Sequence, residues 1–548
     1  MRASTWVLSV FLAQLPLSIA APNCPLIGPE FPPPQRLAEH PIWKKALENV
    51  TAVFDYIDAS NITGVDRFSY SIQIFSSNPG PPILWERHRT AKDLPANTTG
   101  VKEVDGDTVY RLGSVSKVFT VLAFLAESGD AQWNQPITKY VPELAKLSGR
   151  TTSGDFDSVK ETAWDDITLG SLASQVSGLG RDSTGLDIMY PSYPAWQTAT
   201  YSNVAYQLLA YALENISGKN FTDVLTDRVI KPLGLNRTYY ESAPEKEGVI
   251  PGTVKDTYWN VSLGAASPGG NMYSSASDLS TLGRGILSSK LIKPSLTRRW
   301  LNPVTFSADI LASIGAPWGV RRIQLARDTQ PHRTLSVFTK AGTFRKYTAF
   351  ITLLRDFNIG FTIMMAGTPA LNNFLGADLL GASLIPAYDA VARDEADKMY
   401  GGTYVARSNS TNGTAGNSSL TISTDPNKPG LGVGPWTSNG TNMVELAVKL
   451  QSGSDSTPNK PETRLYYSQL ETKVSGGGIK QAWKAVFETT GGPTAGQQLW
   501  STDCGAWVGI TGITYGSLPL DEFIFNIDGT GRVLSVENLA LRTTYYKV

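Results

Sequence analysis

Two residues in the first quarter of the chain have the types and spacing of a serine nucleophile and its base. Ser114 and Lys117 form the chain's only S-x-x-K sequence, and a three-residue separation on a helix places both side chains on one face. Burial disfavours a charged amine, so a buried Lys117 could accept the proton of the Ser114 hydroxyl. Backbone N–H groups at the helix start could bind a developing oxyanion. The alternative is a helix cap followed by a lysine whose amine reaches solvent.

A second segment could supply a proton shuttle. Tyr201 and Asn203 precede another helical pattern; the phenol could transfer protons, and the amide could orient the lysine and a substrate carbonyl or amide. The alternative is that Ser202 or Asn203 only caps that helix. A competing Y-x-N, at Tyr258 and Asn260, is less suitable because Asn260 begins a glycosylation sequon and no strong amphipathic helix follows.

A third segment, Lys340-Ala341-Gly342, could complete the site from the end of a strand. Lys340 would place positive charge beside the Tyr201 phenol, which favours phenolate. Gly342 would let the strand backbone approach a ligand closely. The N–H of Thr343 could be the second oxyanion donor, opposite that of the serine. The alternative is an ordinary strand that ends in a turn.

Helices and strands must bring these segments together. Apolar spacing predicts a mostly buried helix over 117–127, closed by Gly129, and a second helix over 202–214. Alternation with turn residues predicts three adjacent antiparallel strands at 335–339, 347–354 and 359–365.

The composition changes in the last third of the chain. Short β-type segments such as 444–450, 483–488 and 523–527 predict a separate all-β domain, a barrel or sandwich, over 400–548. Residues 408–419 are rich in Ser, Thr, Asn and Gly and predict a glycosylated, flexible loop.

Chain length, net charge and the small number of histidines and cysteines exclude several classes of protein. A chain of 548 residues exceeds one usual core and predicts a large domain plus a smaller one. Apolar residues at 41% and charged residues at 18% exclude an extended disordered or coiled-coil protein. Lys plus Arg equals Asp plus Glu, 48 each, so no global basic field would hold nucleic acid or anionic lipid. Three histidines and two cysteines cannot build a Cys-rich zinc module, and they leave few candidates for a Ser-His-Asp triad or a His-rich metal site.

The N-terminus and the sequons indicate secretion. Residues 1–20 have the pattern of a signal peptide: Arg2, an apolar run over 6–17 and a small-x-small cleavage site at 18–20. No comparable apolar run follows, so we expect no membrane span in the mature protein. Eleven N-glycosylation sequons support a secretory route; they begin at Asn49, Asn61, Asn97, Asn215, Asn220, Asn236, Asn260, Asn409, Asn412, Asn417 and Asn439. Cys24 and Cys504 could form a disulfide there or remain two free buried thiols.

The order of the three segments resembles that of serine β-lactamases and penicillin-binding proteins, in particular the class C β-lactamase and D-alanyl-D-alanine-peptidase-like esterases. The resemblance covers about residues 50 to 385. Further segments match family stretches, namely 167–169 with 177–179, 216–219 through 232–235, and 269–270 with 275–279.

This resemblance implies an α/β (α+β) fold, with an antiparallel sheet flanked by helices plus an all-helical region, over 45–390. A Pro-rich segment, 21–44, expected to be extended, precedes it, and a lipocalin-like all-β domain over 400–548 follows. The implied site comprises the acylated nucleophile Ser114, a general base shared by Lys117 and Tyr201, the supporting residues Asn203 and Lys340, and the oxyanion donors Ser114 and Thr343. The resemblance also implies that the chemistry needs no metal or other cofactor.

Departures from the family pattern bear on the substrate. Ala341 replaces the threonine usual in penicillin-recognising members and cannot hydrogen-bond through its side chain; losing such a contact to a charged group costs about 1.5–3 kcal/mol. Gln175 and Val176 replace His-Thr, and residues 345–347 replace a glycine-containing turn. The two added cations of that turn could favour an acidic acyl or leaving group, and the alternative is a solvated turn.

We therefore predict a secreted serine hydrolase that acts through an acyl-enzyme on esters or amides of small-molecule or peptide-like substrates. D-amino-acid derivatives and β-lactams remain open as substrates, with β-lactams less favoured. Two alternatives remain: an acyltransferase or cyclising enzyme using the same site, and a non-catalytic binding protein on this scaffold. The sequence leaves the oligomeric state open.

Overall fold

The structure is a computed structural model that describes residues 23–60, 67–96, 98–147, 156–181, 191–325, 333–368, 372–407, 417–453, 455–491 and 504–548. These residues form two compact units. The larger unit comprises Arg36–Ile323 and Ser336–Ile385, and the second, here called the barrel unit, comprises the described residues up to Gln35 together with Gln324–Leu335 and Pro386–Val548. The proposed signal peptide, residues 1–20, lies outside the described residues.

An eight-stranded sheet organises the larger unit. In spatial order its strands are Ile83–Arg89, Phe68–Ser76, Ile359–Gly367, Tyr347–Leu354, Arg333–Phe344, Gly319–Leu325, Ala312–Ile314 and Thr305–Phe306. The three strands predicted between 335 and 365 are confirmed as antiparallel neighbours, with Lys340 opposite Ile351 and Ile351 opposite Thr362. Two strands of this trio, Tyr347–Leu354 and Ile359–Gly367, are buried almost throughout because other elements cover the sheet.

Helices and a small sheet complete the larger unit. The small sheet joins Val109–Arg111, Met272–Ser275 and Tyr239–Tyr240. The α-helices are Pro41–Ala59, Ser116–Ser128, Leu169–Ala173, Val204–Ser217, Phe221–Leu225, Lys231–Leu233, Val254–Thr257, Ser267–Gly270, Ala276–Leu287 and Pro294–Trp300, with a π-helical turn at Thr226–Ile230. Short 3-10 helices are Leu37–Glu39, Leu94–Ala96, Gly113–Val115, Ile137–Lys139, Pro142–Leu147, Trp164–Asp166, Glu245–Glu247 and Gly264–Ala266.

The two predicted helices are present. Ser116–Ser128 is buried from Ser116 to Leu125 and ends at Gly129, whose φ of +65° a side chain would disfavour. Val204–Ser217 buries the face with Leu208, Leu209 and Ala212. The Pro-rich segment predicted as extended becomes helical at its end, because Pro41 begins a helix whose first turn His40 caps.

The C-terminal β-structure is a closed barrel. Its strands, in spatial order, are Ser419–Asp425, Gly402–Ala406, Thr543–Lys547, Val533–Asn538, Glu522–Ile527, Ile479–Thr489, Pro461–Lys473, Lys428–Ser438 and Thr441–Asn442. Pairing of Ser419–Asp425 with Lys428–Ser438 closes the barrel. A separate hairpin pairs Thr514–Tyr515 with Leu518–Pro519, and 3-10 turns lie at Ser475–Gly477 and Ala506–Gly509. The prediction of an all-β region with strands at 483–488 and 523–527 is confirmed.

One predicted strand is wrong. Residues 444–450 lie in the helix Met443–Ser452. Asn442 caps that helix by accepting from the Glu445 backbone N–H, and the buried residues Met443, Ala447 and Val448 follow helical spacing. The helix ends at Gly453, whose φ is +63°.

The helix Asn373–Tyr400, which contains Pro386, runs through the change of composition near residue 388. By length and apolarity it is the one helix among the described residues that could cross a membrane. Core helices of soluble proteins share this length and apolarity.

Candidate active site

The side chain of Ser116 holds the turn that carries Ser114. Ser114 lies in the 3-10 turn Gly113–Val115, directly before the helix Ser116–Ser128. The Ser116 hydroxyl donates to the Gly113 carbonyl at 2.6 Å and accepts from the Met272 N–H at 2.9 Å. The half-buried Ser114 side chain is therefore presented from an ordered turn.

Lys117 is fully buried, and its amine contacts three neutral oxygens. Nζ lies 3.2 Å from Ser114 Oγ, 2.7 Å from Asn203 Oδ1 and 2.6 Å from the Gly269 carbonyl oxygen. Since none of these three acceptors carries a formal charge, they orient the amine without an ion-pair penalty for deprotonation. A neutral Lys117 amine can accept the Ser114 proton along the 3.2 Å contact.

Tyr201 reaches the same serine oxygen from the other side. Its hydroxyl donates to Ser114 Oγ at 2.6 Å, although 36% of the residue is exposed. Three basic side chains surround its ring: the centroid lies 5.1 Å from Lys117 Nζ, 5.6 Å from Lys340 Nζ and 5.2 Å from the Arg181 guanidinium carbon. Positive charge on Arg181 and on protonated Lys340 stabilises negative charge on the phenol oxygen.

Lys340 is buried beside this phenol. Burial lowers the pKa of its amine to about 7, because the charged form loses hydration. Its Nζ donates to the Ala341 carbonyl oxygen at 2.7 Å. Lys340 can therefore gain or lose its charge near neutral pH, at a position close enough to affect the Tyr201 hydroxyl electrostatically.

Two glycines let the strand and the serine turn meet backbone to backbone. A Cβ on Gly342 would lie 2.0 Å from the Leu112 carbonyl oxygen and 2.7 Å from the Ser114 nitrogen. A Cβ on Gly113, whose φ is +52°, would lie 2.7 Å from the Thr343 nitrogen. The backbones at Ser114 and Thr343 are thus adjacent, which is the placement that a two-donor oxyanion pocket requires.

The structure therefore brings the three predicted segments together. The competing Tyr258 lies elsewhere, under the Arg345 guanidinium at 4.3 Å from the ring centroid. Lys346, the second added cation, donates to the Pro251 carbonyl oxygen at 3.3 Å. Ser202 does accept from the Ala205 N–H at 3.1 Å, so the capping role considered for it coexists with the placement of Asn203 at Lys117.

Sequence reasoning missed two contributors at the site. The Gly269 carbonyl is a ligand of Lys117, and Arg181 lies against the Tyr201 ring. A backbone carbonyl has no side-chain signature in a sequence, and Arg181 precedes no pattern that would assign it. In the described part of the chain, no cluster of three His, Cys, Asp or Glu side chains could hold a metal ion.

The predicted modification sites are exposed wherever the structure describes them. The exposed sequon asparagines are Asn49, Asn215, Asn220, Asn236, Asn260, Asn417 and Asn439. Asn61, Asn97, Asn409 and Asn412 lie outside the described residues. Cys24 and Cys504 form a disulfide in the barrel unit, with Cα atoms 5.4 Å apart, which resolves the two alternatives for these cysteines.

Comparisons with known proteins identify two family matches in successive parts of the chain. A family described as "Beta-lactamase" matches residues 85–383, and one described as "Beta-lactamase-like-like, C-terminal domain" matches residues 392–548. A "Beta-lactamase-like protein" of Arthroderma benhamiae is 27% identical over 604 aligned positions, covering 98% of each chain. A "Probable hydrolase M10" of a Phoma species is 24% identical, covering 93% of this chain and 89% of its own.

Among solved structures, a D-alanine carboxypeptidase AmpC from Burkholderia cenocepacia is 18% identical, with a TM-score of 0.46, covering 62% of this chain and 99% of its own. A D-stereospecific amidohydrolase from a Streptomyces species is 17% identical, with a TM-score of 0.45, covering 60% and 97%.

Proposed function

Because the chain belongs to the beta-lactamase family of serine hydrolases, we propose that it hydrolyses ester or amide bonds through an acyl-enzyme on Ser114. One observation carries this proposal. Ser114 Oγ lies between two proton-transfer groups, 3.2 Å from Lys117 Nζ and 2.6 Å from the Tyr201 hydroxyl. A hydroxyl is a weak nucleophile at its own pKa, so this pair supplies the activation that acylation needs.

In the acylation step, Ser114 Oγ attacks the substrate carbonyl carbon while its proton passes to the Lys117 and Tyr201 pair. The carbonyl oxygen becomes an oxyanion that the Ser114 and Thr343 N–H groups can bind. When the tetrahedral intermediate collapses, the bond to the leaving group breaks, and the alkoxide or amine receives the proton from the same pair.

In the deacylation step, water attacks the ester carbonyl and gives its proton to the pair. The bond to Ser114 Oγ then breaks, and the serine regains a proton. The partial exposure of Tyr201 supports water as the acceptor, since solvent reaches the group that would deprotonate it.

The residue at position 341 favours acyl groups other than penicillins. Ala341 offers only a methyl group where a hydroxyl would bind the carboxylate of a β-lactam. We therefore infer that simple esters and amides react faster than β-lactams.

We also propose that the protein is secreted and N-glycosylated. The exposure of seven described sequon asparagines and the disulfide support this route, because disulfides persist in oxidising compartments. Recovery of the protein from the medium of a eukaryotic host, with a mobility shift after N-glycan removal, is expected. Retention in the cell, or the absence of a shift, would contradict it.

Acyl-enzyme formation is tested by mass spectrometry after incubation with a fluorophosphonate. A single adduct on the peptide with Ser114, abolished by Ser114→Ala, is expected. Turnover of p-nitrophenyl esters should exceed that of nitrocefin, and comparable rates would show that the weight given to Ala341 is wrong. No adduct with any reagent would favour a binding protein, whereas product formation that depends on an acceptor alcohol or amine would favour acyl transfer.

A further inference from the structure

Gln175 lies directly beneath the turn that carries Tyr201. Its Oε1 accepts from the Ser202 N–H at 2.6 Å, and its Nε2 donates to the Ser202 carbonyl at 3.2 Å. Its own main-chain carbonyl accepts from the Thr200 N–H at 2.7 Å. Gln175 thus contacts the backbone on both sides of the tyrosine.

The backbone of Gln175 adopts a conformation that a residue with a side chain rarely takes. Its φ is +63°, in the left-handed region, at the end of the short helix Leu169–Ala173. Hydrogen bonds on the neighbouring residue hold this geometry: the Val176 N–H donates to the Ser171 carbonyl at 3.0 Å, and the Val176 carbonyl accepts from the Trp196 N–H at 2.7 Å. Such unusual backbone conformations persist where surrounding contacts hold them in place. Here the conformation directs the Gln175 side-chain amide toward the Ser202 backbone.

The same turn is held at a third point, because the Asn203 N–H donates to the Arg181 carbonyl at 2.9 Å. Tyr201 therefore projects a partly exposed side chain from a backbone bound on either side. Since the phenol oxygen must stay within 2.6 Å of Ser114 Oγ, the position of this backbone sets whether proton transfer can occur.

We propose that Gln175 is a positioning residue: its buried side-chain amide clamps Ser202 and so holds the Tyr201 hydroxyl on the nucleophile. This inference rests on the proposed function, since it assigns Tyr201 to proton transfer. It gives a role to a position where the sequence departs from the family pattern.

The test compares Gln175→Met, which keeps the length but removes both hydrogen bonds to Ser202, with Gln175→His, which restores a donor and an acceptor. Gln207→Met is the matched control, because the Gln207 amide contacts Tyr211 on the helix Val204–Ser217. We expect the rate constant of Ser114 acylation to fall about 10- to 100-fold in Gln175→Met, with KM nearly unchanged and partial recovery in Gln175→His. Gln207→Met should match wild type.

Two outcomes would overturn the inference. One is acylation by Gln175→Met within about twofold of wild type; the other is an equal loss in both Gln175 variants, which would indicate volume rather than hydrogen bonding. Failure of the wild type to acylate would instead contradict the proposed function. Hydrogen exchange on the wild type tests the clamp even then, because the Thr200 and Ser202 amides should be protected and rapid exchange of both would overturn it.

Discussion

Lys117 in the larger unit and Arg333 in the barrel unit are both buried cations, but their neighbours differ in charge. Lys117 donates to a hydroxyl, an amide oxygen and a backbone carbonyl. Arg333 lies 3.4 Å from a Glu30 carboxylate oxygen and 3.2 Å from one of Asp389. A second guanidinium, Arg393, lies 2.9 Å from Asp389 and extends the network.

The difference separates the proposed catalytic site from a structural ion-pair network. A guanidinium between carboxylates stays charged and holds together the segments that carry those carboxylates. Here these are the segment with Glu30 and the helix Asn373–Tyr400, which contains Asp389. An amine among neutral oxygens is oriented equally well, yet nothing in those three contacts opposes loss of its proton. Burial alone therefore does not distinguish a candidate catalytic lysine from a structural cation. The charge of the groups that it contacts is the distinguishing feature.

The largest effect is expected for Lys117→Arg, which places at this position a basic side chain that cannot lose its proton. We expect the Ser114 acylation rate to fall roughly a thousandfold, the scale of a lost general base. Stopped-flow release of p-nitrophenol measures it, with circular dichroism as the check on folding. Activity near the wild-type level would remove Lys117 from the base role.

The matching change in the barrel unit is Arg333→Met. It leaves the buried Glu30 and Asp389 side chains without their shared guanidinium, and removing one partner of a buried ion pair destabilises the folded state, although Arg393 still contacts Asp389. We expect a clear drop in the thermal unfolding midpoint with acylation of Ser114 unchanged. Lys45→Met is the control, because the Lys45–Glu48 pair is exposed and contributes little. An unchanged midpoint would mean that the network does not stabilise the unit.

A smaller effect distinguishes two tyrosines that share the Y-x-N pattern. Tyr201→Phe removes the hydroxyl that lies 2.6 Å from Ser114 Oγ, and we expect about a hundredfold lower kcat/KM for an ester. Tyr258→Phe keeps the ring that Arg345 covers and should remain within about twofold of wild type. Equal losses in the two variants would contradict the assignment of the shuttle to Tyr201.

The sequence predicted the side chains of the site better than their supports. Spacing placed Ser114 and Lys117 on one helical face, and residue type and position singled out Tyr201, Asn203 and Lys340. The family resemblance then joined the three segments into one site. The Gly269 carbonyl and the Gln175 clamp were not predicted, because backbone geometry sets both contacts.

The strand predicted at 444–450 shows a second limit of sequence patterns. Val444, Leu446, Val448 and Leu450 alternate as a strand would, while Met443 and Ala447 also fit a helix. The cap at Asn442 favours the helix, and Leu450 is left 51% exposed. Short apolar runs of this kind fit both periods, so tertiary burial decides between them.

The smallest expected effect concerns Lys340, a third buried basic side chain, whose amine donates to the Ala341 carbonyl oxygen. Burial lowers the pKa of its amine to about 7, so the amine is charged below that pH and neutral above it. Its charge supports the Tyr201 phenolate, and kcat/KM should therefore decline several-fold as the pH rises through about 7. Lys340→Arg stays charged across the range and should lose this alkaline decline, although its absolute rate is lower because the guanidinium is larger. A decline that persists unchanged in Lys340→Arg would assign the titration to another group and leave the charge of Lys340 without a role in proton transfer.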